Sequence, residues 1–206
     1  MTNISKRDRL IDSAALLFHH NGLTATSLAD IAKHADIPIG NVYYYFKTKE
    51  ELALAAVSKR REQFSAAYAL LEEHIDDPRQ RLIEALMYFE KVRDEYTRHG
   101  CPIGNIITDG DVEKDAVVQM AAQVLAEFIS WAERQFRQLG HSTDAKRYAT
   151  SLMAGIQGAT IMAKAIRNPG IISDEIARLS AWLETLPNRK IQIGKVALKD
   201  IASNAA

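Results

Sequence analysis

A short segment of the chain concentrates side chains that can hydrogen-bond to another molecule. Residues 40–46 read GNVYYYF, in a chain whose aromatic content is only 7%. Successive residues of a helix point about 100° apart, so these rings cannot all face one core. An amide such as that of Asn41 can read a base edge, and exposed tyrosine hydroxyls can reach phosphates. The segment therefore favours contact with the major groove of duplex DNA.

Charge beside this segment favours the same partner, although the chain as a whole is neutral. Lys plus Arg and Asp plus Glu both total 26, so the net charge does not indicate nucleic-acid binding. Lys47 and Lys49 nevertheless follow the aromatic run directly. Ser27 and Thr48 resemble helix N-caps, and helix N-termini offer free N–H groups to phosphate. The positive charge next to this segment therefore favours DNA binding, although the net charge of the chain is zero.

Cys101 is the other reactive group to consider, because it is the chain's single cysteine. It begins a predicted helix within the stretch GCPIGN. A thiol there could sense oxidants or electrophiles, with His99 or Lys164 as a basic partner. The alternative, which we favour, is a small buried apolar residue.

Two polar clusters could in principle bind a metal ion. His19 and His20 end the first predicted helix, where positive charge complements the helix dipole, so we expect capping and not ligation. The acidic residues and the histidine at 72–77 have the pattern of a solvated helix end. We therefore expect no metal site and no cofactor.

The elements that carry these residues are predicted to be helices throughout. Period-two alternation never persists, whereas apolar residues recur at helical spacing. Caps predict a first helix from about Ser5 to Asn21-Gly22, a second beginning at Ser27 and ending near His34, a third beginning at Pro38, and a long fourth from Thr48 towards His74. The link between the second and third helices is so short that Asp36 is expected to adopt the left-handed conformation. This is the pattern of a helix-turn-helix unit.

The residues of this unit resemble the DNA-binding domain of the TetR family of bacterial transcriptional regulators from about Lys6 to Val57. The matching positions are Thr26, Ser27, Leu28, Ile31, Ala32, Ala35, Ile37, Gly40, Tyr43, Tyr45, Phe46, Lys49, Glu50 and Leu52. The chain departs from the family at Asp36, where glycine is usual. The resemblance implies a mostly helical homodimer that binds a palindromic operator, usually as a repressor released by a small-molecule effector.

The resemblance also implies roles for individual residues. Phosphate contacts are expected from Thr26, Ser27, Tyr45 and Lys49, and groove contacts from Ile39, Asn41, Tyr43 and Tyr44. Four of these residues have alternative roles that involve no DNA contact. Tyr43 and Tyr45 could pack on the first helix, Asn41 could be solvated, and Lys49 could be only a helix-end charge.

The rest of the chain is predicted to be helical too. Segments are expected from Pro78 to about His99, from about Glu113 to Leu139, from about Thr143 to Arg167 and from about Ser173 to Leu186. We divide the chain into a DNA-binding domain at 1–52, an effector-binding and dimerisation domain at 53–187, and a tail at 188–206 that is either loose or a short helix. The fold class is all-α.

The larger domain is expected to contain a cavity and a dimer face. Apolar and aromatic residues of its middle helices could line a cavity between helices, although each one alone is more typical of core. The pocket candidates are Tyr88, Cys101, Asn105, Trp131 and Lys164. Small residues and an apolar stripe predict close helix approach across a dimer, with the alternative of burial inside a monomer. The dimer-face candidates are Gly155, Gly158, Ala159, Ile176, Leu179 and Leu183.

Composition places the chain among ordinary globular proteins. The apolar fraction of 47% is ordinary for a globular protein, and the charged N-terminus lacks the apolar stretch of a signal peptide, so a cytoplasmic location is expected. An enzyme would need a nucleophile–base pair such as Cys101 with His99, without an evident third group. A helical ligand carrier without DNA binding is the second rival. The most concrete expectation is double-stranded DNA as the partner, with a small effector and a second copy of the chain.

Overall fold

The computed structural model describes residues 5–188, and within that range all regular structure is helical. The predicted tail, apart from Asn188, lies outside the described residues. The helices are, in chain order, α1 (Lys6–Asn21), α2 (Leu28–His34), α3 (Ile39–Tyr45), α4 (Lys49–His74), α5 (Pro78–Lys91), α6 (Arg93–His99), α7 (Pro102–Asp109), α8 (Ala116–Gln138), α9 (Ala145–Ile166) and α10 (Gly170–Thr185). The all-α prediction is confirmed.

Local sequence explains where the first helices begin and end. The Ser5 hydroxyl accepts from the Asp8 N–H at the start of α1, and Gly22 ends that helix with a φ of 88°. Ser27 and Asp30 form a reciprocal capping box on α2, and the Thr48 hydroxyl accepts from the Glu51 N–H on α4. These predicted caps are confirmed, because each depends only on residues three positions apart.

The turn between α2 and α3 also agrees with its prediction. Asp36 has a φ of 52°, the left-handed conformation that a non-glycine residue seldom adopts. The Arg9 guanidinium donates to the carbonyls of Ala35 and Asp36, which holds the end of α2 against α1. The turn therefore holds α2 on α1 and, since α3 packs on α2, positions α3.

One predicted helix is in fact two. We expected a continuous segment from Pro78 to about His99, but α5 ends at Lys91 and α6 begins at Arg93. Val92 breaks the helix with φ −105° and ψ 7°, and its N–H is shared by the carbonyls of Tyr88 and Glu90. The Arg93 guanidinium is bound by Glu90 and by Ser173 at the start of α10. The break is thus stabilised by a distant element, and neither glycine nor proline marks it in the sequence.

The helices bury a core that runs through both halves of the chain. The first turns of α4 pack on α1, and its later turns pack on α8, so α4 links the two predicted domains. In the N-terminal part Leu10, Ile31 and Val42 are fully buried, and in the C-terminal part Trp131 and Phe136 are. The predicted division after residue 52 falls inside α4 and stays a prediction.

Within residues 5–188 no helix combines the length and the apolar character needed to cross a membrane.

Candidate nucleic-acid interface and internal cavities

The aromatic residues 43–46, in and just after α3, divide between buried and exposed positions. Val42 and Phe46 are buried against the first helix, whereas Tyr43 and Tyr44 are 49% and 78% exposed. Tyr45 lies between these extremes and packs edge-to-face on Tyr44, with ring centroids 5.0 Å apart. Since large aromatic side chains are seldom left in water, the outward pair forms a surface suited to a partner.

The front of α3 is open as well. Ile39 is 43% exposed, and Asn41 is exposed beside it. A Cβ added at Gly40 would meet no atom within 4 Å, so this point of the helix offers room for close backbone approach. The predicted groove-facing residues therefore share one accessible surface of α3, and their contacts with bases stay a prediction.

Thr26 is arranged differently from its expected phosphate role. Its side chain is only 1% exposed, and its hydroxyl donates to the carbonyls of Gly22, at 2.8 Å, and Leu17, at 3.2 Å. A buried hydroxyl that is already donating cannot reach a phosphate. The structure thus corrects our expectation for this side chain, which closes the loop between α1 and α2.

Ser27 is exposed, but its donors are engaged within the chain. The hydroxyl donates to Asp30 Oδ2 at 2.5 Å, and the backbone N–H donates to the same oxygen at 2.9 Å. These bonds hold the pKa of Asp30 below its usual range. A carboxylate therefore sits at the start of α2, and Ser27 could donate to a phosphate only after leaving Asp30.

The two lysines after the aromatic run have structural contacts of their own. Lys49 Nζ donates to the carbonyls of Leu23, at 3.0 Å, and Thr24, at 3.3 Å. It thereby ties the start of α4 to the loop before α2, a contact between distant residues that the sequence did not reveal. Lys47 Nζ donates to the Tyr43 carbonyl at 2.6 Å and stays exposed. Lys47 therefore adds positive charge beside the last turn of α3.

A cavity of about 400 Å³ lies between α4, α5 and α8. Its walls are mostly apolar, with polar groups at a few points. The aromatic lining residues are Phe64, Tyr68, Tyr88, Phe89, Tyr96 and Phe128. Burial raises the pKa of both Tyr68 and Tyr96 well above the usual tyrosine range, so these phenols stay neutral hydrogen-bonding groups. The cavity suits an apolar ligand with a few polar atoms.

A second cavity of about 690 Å³ lies between α7 and α9. It includes Asn105 and Lys164, and Cys101 lines both cavities. Four of the five predicted pocket residues thus line one cavity or the other. Polar residues that the sequence reasoning missed are Arg60, Gln63 and Gln157; nothing in their local sequence distinguishes them from surface residues.

Trp131 is the exception among the pocket candidates. It is 1% exposed and lines neither cavity; its ring stacks on that of Tyr68 with centroids 4.8 Å apart. Tyr68 stands in the cavity wall in its place. The prediction for Trp131 was wrong because helical periodicity identifies an inward face without saying which residue along it borders empty space.

Cys101 lies at the start of α7, where its thiol packs within the protein. The residue is 7% exposed, and its Sγ accepts from the Gly104 N–H at 3.4 Å and contacts Gln157 Nε2 at 3.5 Å. Its expected basic partners have other contacts: Lys164 Nζ donates to the His99 carbonyl at 3.1 Å, and the His99 ring stacks on His20. These contacts favour the buried, structural interpretation of Cys101.

The predicted dimer face divides into two parts. Ile176, Leu179 and Leu183 are buried inside the chain, because α10 packs on α9 and α5. Ala159 is 6% exposed, and Gly155 is half-buried where α9 faces Glu175 and Leu179 of α10. For these five residues the structure corrects our expectation in favour of the monomer-core alternative.

Gly158 alone keeps an outward position. It has open space around it and lies on the exposed face of α9 with Ala154, Ile161, Met162 and Ala165. Ile161 is 62% exposed and Met162 is 50% exposed. We call these five residues the α9 strip. An apolar strip of this kind is typical of a surface that another molecule covers.

Comparison with known proteins now adds to this geometry. A family model described as bacterial regulatory proteins, tetR family, matches residues 10–56, and one described as the C-terminal domain of LmrA/YxaF-like transcriptional regulators matches residues 78–174. The HTH-type transcriptional regulator LmrA of Bacillus subtilis is 27% identical over 166 residues, which cover 79% of this chain and 88% of that protein.

Two further matches bear on the function and the fold. The negative transcriptional regulator IcaR of the Staphylococcus aureus biofilm operon is 27% identical over 106 residues, covering 44% of this chain and 57% of that protein. A TetR transcriptional regulator from Legionella pneumophila shares the fold, with a TM-score of 0.77 and 16% identity over 88% of this chain and 99% of that one.

Proposed function

The chain belongs to the TetR family and is a DNA-binding transcriptional regulator, and from this premise we propose that it is a homodimeric repressor of a palindromic operator, released by an apolar small molecule. The outward face of α3 is the observation that carries the proposal. Its exposed tyrosines and Asn41 stand on a short helix, a shape that fits the major groove. The similarity to IcaR, a negative transcriptional regulator, supports repression.

A direct test is binding of the full chain to DNA from upstream of its own gene, measured by fluorescence anisotropy. Tyr44→Ala is expected to weaken binding by about 1–3 kcal/mol, the scale of one lost base contact. Met87→Ala, which removes another exposed apolar side chain on α5, is the matched control and should bind as the wild type does. If the wild-type chain binds no duplex even at low salt, the repressor proposal fails.

The first cavity supports an effector of defined chemistry. Its volume of about 400 Å³ is within the range of small-molecule sites, and neutral tyrosines and Gln157 provide hydrogen-bonding groups on an apolar wall. We infer a mostly apolar ligand, aromatic or aliphatic, with one or two polar atoms. Ala67→Trp, at the cavity wall on α4, should abolish release by such a ligand while the affinity of the free protein for operator stays unchanged.

A chain of hydrogen bonds supports coupling between the cavities and the DNA-binding helices. Asn105 Nδ2 and Lys164 Nζ both donate to the His99 carbonyl, at 2.7 and 3.1 Å. The next carbonyl, that of Gly100, bonds to the His19 ring of α1 at 2.7 Å. A ligand that moves the corner between α6 and α7 would therefore pull on α1. The coupling free energy expected of such a switch is about 1–3 kcal/mol.

Dimerisation is proposed through the α9 strip and the exposed face of α10. On α10, Ala177 and Ala181 are exposed small residues one helical turn apart. Two such helices from each chain would pack as a four-helix bundle, with the small residues permitting close approach. A two-fold dimer would set the two copies of α3 about 34–36 Å apart in the simplest arrangement, one turn of DNA.

A further inference from the structure

A cluster of ligating side chains lies where α1 meets α6. His20 Nε2 is 2.7 Å from Glu95 Oε1, and His19 Nδ1 is 4.0 Å from the same oxygen. All three atoms fall within 4.8 Å of one another. The sequence predicted only a capping role for the two histidines, because nothing local reveals that Glu95 folds back against them from α6.

The tautomer of His19 leaves Nδ1, the nitrogen nearer to Glu95, without a proton. Its Nε2 is 2.7 Å from the Gly100 carbonyl, and because a carbonyl only accepts hydrogen bonds, Nε2 must carry the proton. The Nδ1 lone pair then faces Glu95. Metal-binding histidines usually donate their other N–H in this way.

The other two groups are oriented by their neighbours as well. Arg98 binds the second oxygen of Glu95, Oε2, at 3.1 Å, so Oε1 stays directed at the histidines. The His20 ring stacks on His99 with centroids 4.1 Å apart and an interplanar angle of 15°. The side chains of His20 and Glu95 are 31% and 37% exposed, which gives an ion from solvent a route to the cluster.

We propose that His19 Nδ1, His20 Nε2 and Glu95 Oε1 bind a divalent transition-metal ion of the Zn²⁺ type, with water completing its coordination. Zinc binds imidazole nitrogen and carboxylate oxygen at about 2.0–2.2 Å, so ligand atoms around a tetrahedral ion are about 3.3 Å apart. The observed 2.7 and 4.0 Å lie on either side of that value. The two histidine nitrogens lie within 4.8 Å of each other, so shifts on the order of 1 Å would complete the site. Two imidazoles with one carboxylate favour zinc, nickel or cobalt over magnesium or calcium.

An ion at this place would join two parts of the chain. Its ligands would come from α1, which packs on α2, and from α6, whose last carbonyl, that of His99, accepts from Asn105 Nδ2 and Lys164 Nζ of the second cavity. The ion would thus fix the DNA-binding helices relative to the cavity. Metal occupancy becomes a second input to the regulator, separate from the apolar ligand of the first cavity.

The test is titration of Co²⁺, then Zn²⁺, into tag-free, chelator-treated full-length protein. We expect visible d–d absorption that saturates at one Co²⁺ per chain and disappears when Zn²⁺ displaces it. His20→Gln and Glu95→Gln should each weaken Co²⁺ binding at least tenfold. His74→Gln, which replaces an exposed histidine near the end of α4, is the matched control and should leave the titration unchanged.

A second measurement needs no variant and so does not depend on variant folding. In the wild-type chain, one equivalent of Co²⁺ should shift the ring resonances of His19 and His20 in NMR spectra and leave those of His74 in place. The proposal is overturned if those rings do not respond, if the wild type binds no ion, or if folded His20→Gln and Glu95→Gln bind Co²⁺ as tightly as the wild type.

Discussion

Asn41 is an exposed polar side chain whose amide suits sequence-specific recognition of DNA. Asn41 lies beside Gly40, where no other atom crowds the helix, and both residues face solvent. A primary amide can donate to and accept from one base at the same time, which is why asparagine can distinguish adenine in the major groove. Lysine ammonium groups, by contrast, contact phosphates of any sequence.

Asn41→Ala should therefore reduce sequence preference without disturbing the fold. We expect it to cost about 1–3 kcal/mol on the matched operator and less on a duplex altered at the base pair it reads. Anisotropy titrations on matched and single-mismatch duplexes at one salt concentration measure the difference. Gln119→Ala, an exposed amide on α8, serves as the control. An equal loss on both duplexes would remove Asn41 from the base-reading residues.

Thr26 leads to a different prediction, because its hydroxyl is buried between two carbonyls. Thr26→Val should lower the free energy of unfolding by about 1–3 kcal/mol, since the Gly22 and Leu17 carbonyls lose their donor. Urea denaturation measures this change, and Thr24→Val, at an exposed neighbouring threonine, is the control. The opposite pattern would be an unchanged denaturation midpoint together with a salt dependence of DNA binding that is reduced by about one unit. That result would support a phosphate contact by Thr26.

At the residue scale, sequence reasoning succeeds where the cause is local. The caps at Ser5, Ser27 and Thr48 follow from residues three positions apart, and all three are present. The burial of Thr26 and the position of Trp131 behind Tyr68 depend on elements far away in sequence. Motif matching gave Thr26 a contact role, but only the packed structure reveals that its hydroxyl is enclosed.

Among the secondary-structure elements, the turn between α2 and α3 leads to a prediction about the free energy of unfolding. Asp36 has a φ of 52°, a conformation that costs roughly 1 kcal/mol or more for most residues and little for glycine. Asp36→Gly should thus raise the free energy of unfolding by about 0.5–1 kcal/mol, and Asp36→Val should lower it. Asp36→Asn, which keeps tolerance of this conformation but removes the charge, is the control. Thermal denaturation of the four proteins tests the order, and stabilisation by valine would contradict it.

Element boundaries were predicted well where caps mark them and poorly where distant contacts do. The start and the end of α4 agree with the prediction at Thr48 and His74. The break at Val92 was missed, since the segment around it has the composition of a continuous helix. There Arg93 is held by Ser173 on α10, a contact across 80 residues of sequence. A local pattern cannot contain such information.

The faces of α9 and α10 show a second limit of periodicity. Period and composition identified both helices as carrying apolar or small residues on one side. They did not distinguish burial inside the chain from burial between chains, because both need the same apolar surface. Ile176, Leu179 and Leu183 proved to be internal, whereas Ile161 and Met162 stay exposed.

For the whole molecule, the apolar face of α10 is buried and the α9 strip is exposed, and this difference determines which surface two copies would use to assemble. The α9 strip leaves large apolar side chains in solvent on one face of α9. If this surface pairs about a two-fold axis, each chain presents one α3 to the same face of a duplex. Operator symmetry then follows from protein symmetry, and weaker pairing must also weaken DNA binding.

Met162→Glu tests this assembly, because it would bury an unpaired carboxylate in the interface. We expect at least a tenfold weaker dimer, equivalent to about 1.4 kcal/mol or more, and a parallel loss of affinity for the full palindrome. Sedimentation velocity over a concentration series measures the first effect and anisotropy the second. Leu16→Glu, at an exposed leucine of α1, adds the same charge outside the strip and should leave the dimer intact. If Met162→Glu sediments as the wild type does, the interface lies elsewhere on the chain; a monomeric wild type would remove the dimer itself.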